Sequence, residues 1–427
     1  MAAPLRIGLA GLGTVGATVA QHLVAGSIEG VCVSVISARD ATKDRGFDTS
    51  SMRFVDNPLE MATAEDVDLV VELIGGQDGV AYELVQASLK AGKPVVTANK
   101  AMLAAHAHDL SELSVTGQGA AVPLAYEAAV AGGIPVIKTV REGLAGNQIQ
   151  RLAGILNGTC NYILTRMEEA KLSFADALRE AQDKGFAEAD PALDVSGVDA
   201  AQKLSILSAL AFGLAPNYVT MQVDGIEAIS AQDIYFAGQF DCVIRLVGVS
   251  QMENGSVYQR VTPMLVRRGN NLAQVRNELN ALTVQASPVG ELFLQGPGAG
   301  GGATASAVLS DIADVALGFG RPLFASLVSD MVSPSCETAP ECEYYLRLSL
   351  ADKPGSMAKA TQILAENGVS IEEVIQRSSN DGGGFLPVVF ITHEVGESSL
   401  NNALLALQEQ QEICNGVLFL PIFADGL

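Results

Sequence analysis

Between Lys184 and Lys203 the chain gathers four carboxylates, Glu188, Asp190, Asp194 and Asp199, and closes on a lysine. Asp199 and Lys203 are four positions apart, so on a helix they share one face and can reach a common ligand. The pattern predicts such a helix from about Gly197 to Gly213, fed by a loop that carries Glu188, Asp190 and Asp194. Acids beside a lysine suit an amino-acid substrate, because the acids can hold an ammonium while the lysine moves a proton. The same run also reads as a solvated acidic loop ending in an ordinary i,i+4 ion pair. The elements around it have to decide between the two.

Composition narrows the classes. At 427 residues the chain exceeds one ordinary core, and two or three domains are expected. With 26 Lys+Arg against 48 Asp+Glu, a net charge of -22 and no basic run, nucleic acid is not expected as a partner. Mean hydropathy is +0.28, yet the apolar residues come in short runs broken by Gly, Pro and charge, so no membrane span is expected. The opening MAAPLRIGLAGLG runs straight into a strand and glycine loop with no room for a secretion signal, and a cytoplasmic location is expected. Six cysteines (Cys32, Cys160, Cys242, Cys336, Cys342, Cys414) lie scattered without C-x-x-C pairing, and there are only four histidines, so neither a zinc site nor a disulfide framework is indicated.

The front of the chain places the chemistry. Leu5 to Ala10 reads as a buried strand, followed by Gly11-Leu12-Gly13-Thr14-Val15-Gly16 and a helix to about Val24. This is G-x-G-x-x-G between strand and helix, the context in which the loop holds the pyrophosphate of a dinucleotide against a helix N-terminus. A second strand, Val31 to Ile36, leads to Arg39, where a basic residue accommodates the 2′-phosphate of NADP; Asp40 beside it would suit the ribose of NAD. We favour NADP and keep NAD open. Val67 to Ile74 is the next strand, with Ile74 and Gly75 near the cofactor, and Pro94 to Thr97 the one after it. Ligands bind at the carboxyl ends of parallel strands, so Thr97 and Lys100 fall where the nicotinamide should lie.

These motifs, taken with others further on, carry a resemblance. G-L-G-T-V-G (11–16), V-V-E-L-I-G-G (70–76), V-V-T-A-N-K (95–100), Y-E-A-A-V-A-G-G-I-P (126–135) and G-I-L-N-G-T-C-N-Y-I-L (154–164) are joined by G-F-A-E-A-D-P (185–191), G-V-D-A-A-Q-K-L (197–204) and G-P-G-A-G-G-G-A-T-A-S-A-V (296–308). In this order they resemble the homoserine dehydrogenases of the long, monofunctional type with a C-terminal ACT domain. The resemblance implies reversible NAD(P)H-dependent reduction of L-aspartate 4-semialdehyde to L-homoserine, on the route to threonine, methionine and isoleucine. It implies Lys203 and Lys100 as the lysines of proton transfer and Glu188, Asp194, Asp199 and Thr159 as substrate-site residues. It implies Gly300 at the cofactor, and a monovalent cation such as Na+ on the carboxylate of Glu127 and the carbonyls of Val130, Gly132 and Ile134. Ala303 replaces a Pro and Phe186 a Tyr found in many members, which bears on substrate detail and leaves the acid and lysine set intact.

After a polar linker, Pro334 to Glu343, the pattern restarts in the order βαββαβ, a ferredoxin-like arrangement. Its D-K-P-G turn and N-G-V-S-I segment resemble ACT domains, which bind amino acids between paired domains; Asp352, Gly355, Asn367 and Val369 are the candidate effector residues and threonine the candidate effector. The expected organisation is therefore mixed α/β, with a Rossmann-type domain over 1–135. A catalytic and dimerisation domain follows over 136–333, its last helix (about 304–317) packing back on the first domain, and an ACT domain over 345–427. A homodimer or homotetramer is expected. Two other readings stay open: a dehydrogenase of another small amino-acid aldehyde, and a sensor that binds dinucleotide and amino acid without turnover.

Overall fold

A computed structural model describes residues 3–115, 121–253, 256–321, 323–324, 339–376 and 384–424. Strands β1 (Leu5–Ala10), β2 (Val31–Ser37), β3 (Arg53–Phe54), β4 (Leu69–Glu72), β5 (Val95–Thr97) and β6 (Leu124–Ala125) form one parallel sheet in the order β3-β2-β1-β4-β5-β6. This is the doubly wound order whose reversal between β1 and β4 opens a ligand crevice at the carboxyl ends. Parallel strands covered on both faces must be apolar throughout, and β4 is fully buried. It ends at Glu72, earlier than the hydrophobic run predicts, because the Glu72 carboxylate accepts the N–H groups of Ile74 and Gly75 (2.7 and 2.9 Å) and turns the chain. The predicted helix follows β1 as Thr14–Val24, and a Cβ on Gly16 would stand 1.9 Å from the Gly11 carbonyl oxygen, so only glycine admits this approach.

The second sheet runs β12-β11-β7-β9-β10-β8, from β7 (Gln148–Ile155), β8 (Gln222–Val223), β9 (Cys242–Glu253), β10 (Ser256–Arg267), β11 (Leu279–Ser287) and β12 (Gly290–Pro297). Its pairs are antiparallel except β8 with β10. The helices Gly158–Ala170 and Val198–Phe212 pack against it and supply much of the largest apolar core. The Gly301–Ala316 helix returns to the first domain, where Ala305, Ala307, Val308 and Ile312 join the core under the Thr14–Val24 helix.

The last sheet, β14-β15-β13-β16, is built from β13 (Tyr344–Ala351), β14 (Ile371–Gln376), β15 (Phe385–Thr392) and β16 (Cys414–Pro421), with helices Ser356–Glu366 and Glu397–Gln408. It has the predicted ferredoxin-like topology; the second helix begins earlier and ends sooner than its hydrophobic pattern predicts. This sheet docks on the second one. Asp233, fully buried, caps the Ala231–Gln239 helix through Ser230 and also accepts from Tyr345 (3.0 Å) and Arg347 (2.6 Å) of β13. The first half of the predicted linker, residues 334–338 with Cys336 among them, lies outside the described residues.

Candidate active site

The centre of the site is Asp199, 8 % exposed in the first turn of the Val198–Phe212 helix. Gly197 starts that helix with φ +84°, a conformation that costs glycine little and other residues more. One Asp199 oxygen lies 3.0 Å from Lys100 Nζ, and the other accepts from Lys203 Nζ and from Asn157 Nδ2, each at 2.8 Å. Lys203 Nζ also donates to the Leu156 carbonyl at 2.9 Å. The i,i+4 pair is therefore present, and β5 brings Lys100 to the same carboxylate from the other domain.

Burial disfavours the charged form of Asp199, but Lys203, Lys100 and the hydrogen bonds outweigh it and hold the carboxyl well below the usual carboxylate range. Burial likewise opposes the charge on Lys100, and Asp199, with Asp194 and Glu188 further off, overcomes it and raises the pKa above that of an ordinary lysine. Asp194 shares the Asn157 amide (2.8 Å) with Asp199; burial raises its carboxyl and that hydrogen bond partly offsets the rise. Glu188 sits exposed on the loop, near enough to act on Lys100 through its charge.

Two expected substrate contacts are already engaged. The Thr159 hydroxyl donates to the Phe186 carbonyl (2.7 Å), tying down the acidic loop. Asp199 has both oxygens committed to lysines and Asn157. Three residues given no chemical role from sequence join the site. Asn157 caps the Gly158–Ala170 helix through Cys160 N–H, as its type suggests, and with its other side-chain atom bridges two acids. Glu72 Oε2 accepts the Thr97 hydroxyl at 2.5 Å, and Asn99 donates to the Gly76 carbonyl at 2.7 Å, so the ends of β4 and β5 are stitched together beside Lys100. Only Asn157 carried a local signal, the cap.

A cleft of about 800 Å³ opens beside β1 and is lined by Gly11, Leu12, Gly13, Arg39, Lys43 and Ile74, among others. Gly13 begins the Thr14–Val24 helix with no side-chain cap, and a Cβ there would meet open space, so the helix N-terminus is free for a phosphate. Thr14, Val15 and Gly16 follow in that first turn. Gly75 lies in the turn after β4, and Gly300 (φ +106°) begins the Gly301–Ala316 helix, which packs on the Thr14–Val24 helix. The Asp40 carboxylate is taken by Thr42, N–H at 2.8 Å and hydroxyl at 2.7 Å, and Arg45 is bound to the Leu12, Lys43 and Asp40 carbonyls. Arg39 is left exposed on the cleft wall.

Glu127, Val130, Gly132 and Ile134 are all buried. The Glu127 oxygens accept from Ile137 and Lys138 N–H, both at 2.9 Å, while its own N–H donates to Asp311 (2.8 Å). Burial pushes the Glu127 carboxyl up to about 7 and that of Asp311 up to about 6. The Ile134 carbonyl accepts the Val136 N–H at 2.7 Å, and Lys138 Nζ lies 3.6 Å from Asp311; a carboxylate and backbone carbonyls are the hard-oxygen type of ligand that a small cation takes. The four ACT residues do not converge. Asp352 and Gly355 precede the Ser356–Glu366 helix, while Asn367 and Val369 follow it, about 16 Å away at the rise of an α-helix. Asn367 donates to the Ile363 carbonyl, and Val369 is a core residue. Both pairs can meet one small ligand only if two such domains associate.

A parallel doubly wound sheet with a glycine loop on an open cleft, and an acid–lysine cluster at its carboxyl edge, define an NAD(P)-dependent oxidoreductase. The comparisons narrow the class. Family models for the homoserine dehydrogenase NAD-binding domain, homoserine dehydrogenase and the ACT domain match residues 11–123, 135–313 and 344–410. Homoserine dehydrogenases of Pseudomonas aeruginosa (37 % identical, covering 97 % of this chain and 98 % of the relative) and Helicobacter pylori (38 %, 96 % of each) are similar over nearly the whole length. Among solved structures, a homoserine dehydrogenase from Thiobacillus denitrificans superposes with TM-score 0.89 at 34 % identity, over 98 % of both chains. A hyperthermophilic archaeal homoserine dehydrogenase in complex with NADPH gives 0.63 at 28 %, over 75 % of this chain and 99 % of that one. The chain belongs to the homoserine dehydrogenase family.

Proposed function

We propose that this chain interconverts L-aspartate 4-semialdehyde and L-homoserine with Lys203 as the group that trades the proton of the substrate oxygen. The observation that carries the assignment is one buried carboxylate shared by two lysines. An ammonium has three donors; on Lys203 two are held by Leu156 and Asp199, which aims the third. Lys100, on the same carboxylate, orients the substrate or shares the step. Glu188 and Asp194 receive the substrate ammonium, since the Asp199 oxygens serve the lysines. The bound nicotinamide supplies or accepts the hydride. Its cradle is Gly11 to Gly16, with Ile74, Gly75, Thr97, Lys100 and Gly300 around it.

The division into 1–135, 136–333 and 345–427 is supported by the three family matches. Among the described residues no helix is long and apolar enough to cross a membrane. The cysteines described are all free, which fits a reducing cytoplasm. Initial rates of homoserine oxidation, followed through the reduced nicotinamide with NAD+ and NADP+ in parallel, test the reading. Turnover is expected with NADP+ the better substrate, and threonine is expected to inhibit through paired ACT domains of a dimer or tetramer. Absence of turnover with both cofactors would move the assignment to another amino-acid aldehyde or to a sensor.

NADP preference rests on Arg39, free on the cleft wall while Thr42 occupies Asp40. Arg39→Ala should raise KM for NADP+ about tenfold or more, the worth of a charge-assisted hydrogen bond, and leave KM for NAD+ nearly unchanged. Glu127, Val130, Gly132 and Ile134 would hold a monovalent cation whose chemistry is to offset buried acid charge. Sodium chloride should then stabilise the protein against urea more than tetramethylammonium chloride of equal ionic strength. At five times its dissociation constant the ion contributes about 1 kcal/mol, and Glu127→Gln should erase the difference.

A further inference from the structure

A carbonyl oxygen has two lone pairs, and that of Leu156 takes two donors. Lys203 Nζ reaches it at 2.9 Å and Asn280 Nδ2 at 3.0 Å. Asn280 stands near the start of β11 and is 1 % exposed. Its amide lies face-on against Gly298, where a Cβ would stand 2.1 Å from Asn280 Cγ, so only glycine leaves room for it. The other end of the amide is unmatched: Asn280 Oδ1 is buried and has no hydrogen-bond partner among the described residues. A buried acceptor left alone is unfavourable, and an apolar side chain of similar shape would avoid that cost. What an asparagine adds here is the donor to Leu156.

That carbonyl needs holding. Leu156 and Asn157 form the turn between β7, which ends at Ile155, and the helix that begins at Gly158, so Leu156 lies beyond the strand ladder. With Lys203 as its one donor, the peptide could swing with the lysine it is meant to anchor. A second donor rooted in β11 removes that freedom. We propose that Asn280 is a positioning residue of the proton transfer: it fixes the Leu156 carbonyl, and through it the direction in which Lys203 presents its remaining N–H. The contact with Gly298 extends the frame. The Gly298 carbonyl accepts Gly132 N–H at 3.0 Å, and two residues on, Gly300 begins the helix that packs on the Thr14–Val24 helix. The anchor of the lysine is therefore set against the same glycine loop that leads to the dinucleotide domain.

The inference rests on the role proposed for Lys203, and a double-mutant cycle on homoserine oxidation by the full-length protein separates the two. Asn280→Ala and Asn280→Ser both lose the reach to Leu156 and fit beside Gly298; two side chains of different size guard against loss of the fold in one of them. In the otherwise unaltered chain each should lower kcat about tenfold or more, since a misplacement of about 1 Å can cost about 10²-fold, while KM for NADP+ stays nearly unchanged. In a Lys203→Ala background the same substitutions should change kcat by less than about twofold, because no ammonium is left to aim. An unchanged kcat in the single variants, or an equal fold loss in both backgrounds, would overturn the proposal and leave Asn280 as packing alone. A Lys203→Ala chain as fast as the unaltered one would remove the lysine from the reaction, and this inference with it.

Discussion

Lys203→Ala should lower turnover of homoserine by about 10²-fold or more while cofactor affinity stays close to that of the unaltered chain. The expectation follows from where the lysine is held. Its Nζ is fixed at two points, the Leu156 carbonyl and Asp199, with its side chain 12 % exposed, whereas Lys100 makes one ion pair and is 35 % exposed. A donor fixed at two points loses little entropy in meeting a forming alkoxide, so its removal should fall on kcat. The cleft lined by Gly11, Gly13 and Arg39 does not include Lys203, so binding of the reduced cofactor, read by fluorescence titration, should change little. Lys100→Ala should cost less in kcat and more in KM if its work is orientation. The reverse order of effects on kcat would hand the proton to Lys100.

Much of this arrangement is readable before any coordinates, for definite physical reasons. The glycine loop is legible because two close approaches, at Gly11 and Gly16, exclude a side chain within six residues of each other. Asp199 and Lys203 are legible because helical periodicity alone puts them on one face. What is not legible comes from contacts made across the sequence. Nothing local says that Lys100 meets Asp199, since that depends on β5 ending opposite the Val198–Phe212 helix once two domains have packed. Asn157 reads as a helix cap, and it is one; its second task, holding Asp194 and Asp199 by one amide, needs the acidic loop folded over it.

The ACT region shows the same boundary. Its βαββαβ order follows from alternation and turns, so topology is legible while docking is not. Ser230 and Asp233 form a capping box within a few residues of each other, yet the same Asp233 receives Tyr345 and Arg347 from a strand more than a hundred residues away. The strand β4 was overestimated for a related reason. Apolar residues continue past Glu72, but its carboxylate captures the next two backbone N–H groups and ends the strand at the cofactor crevice.

Asp199→Asn should be as damaging to turnover as loss of Lys203, and its pH dependence should differ in kind. The unaltered carboxylate lies within ion-pair distance of both lysines, 3.0 and 2.8 Å. An asparagine keeps the shape but turns one of the two acceptor oxygens into a donor, and it leaves the two ammonium groups without the carboxylate they share. The carboxylate raises the Lys100 pKa against the opposing effect of burial, so its loss should move the basic limb of the kcat profile to lower pH. Loss of a merely structural contact would lower the profile without moving it. Stability should respond with the opposite dependence. The Asp199 carboxyl is depressed in the folded chain, so its contribution is fully present above its unfolded value of about 3.9 and is lost as pH falls below that. Breaking a buried pair costs about 3–5 kcal/mol, and the partial access of Lys100 to solvent puts the loss at or below the lower end. Urea unfolding of the two proteins should therefore differ most at neutral pH, and the gap should begin to narrow as the pH falls below about 4 and go on narrowing with further acid; a gap that does not change on acidification would mean that the asparagine disturbs packing and that the shared charge is not what holds the two lysines.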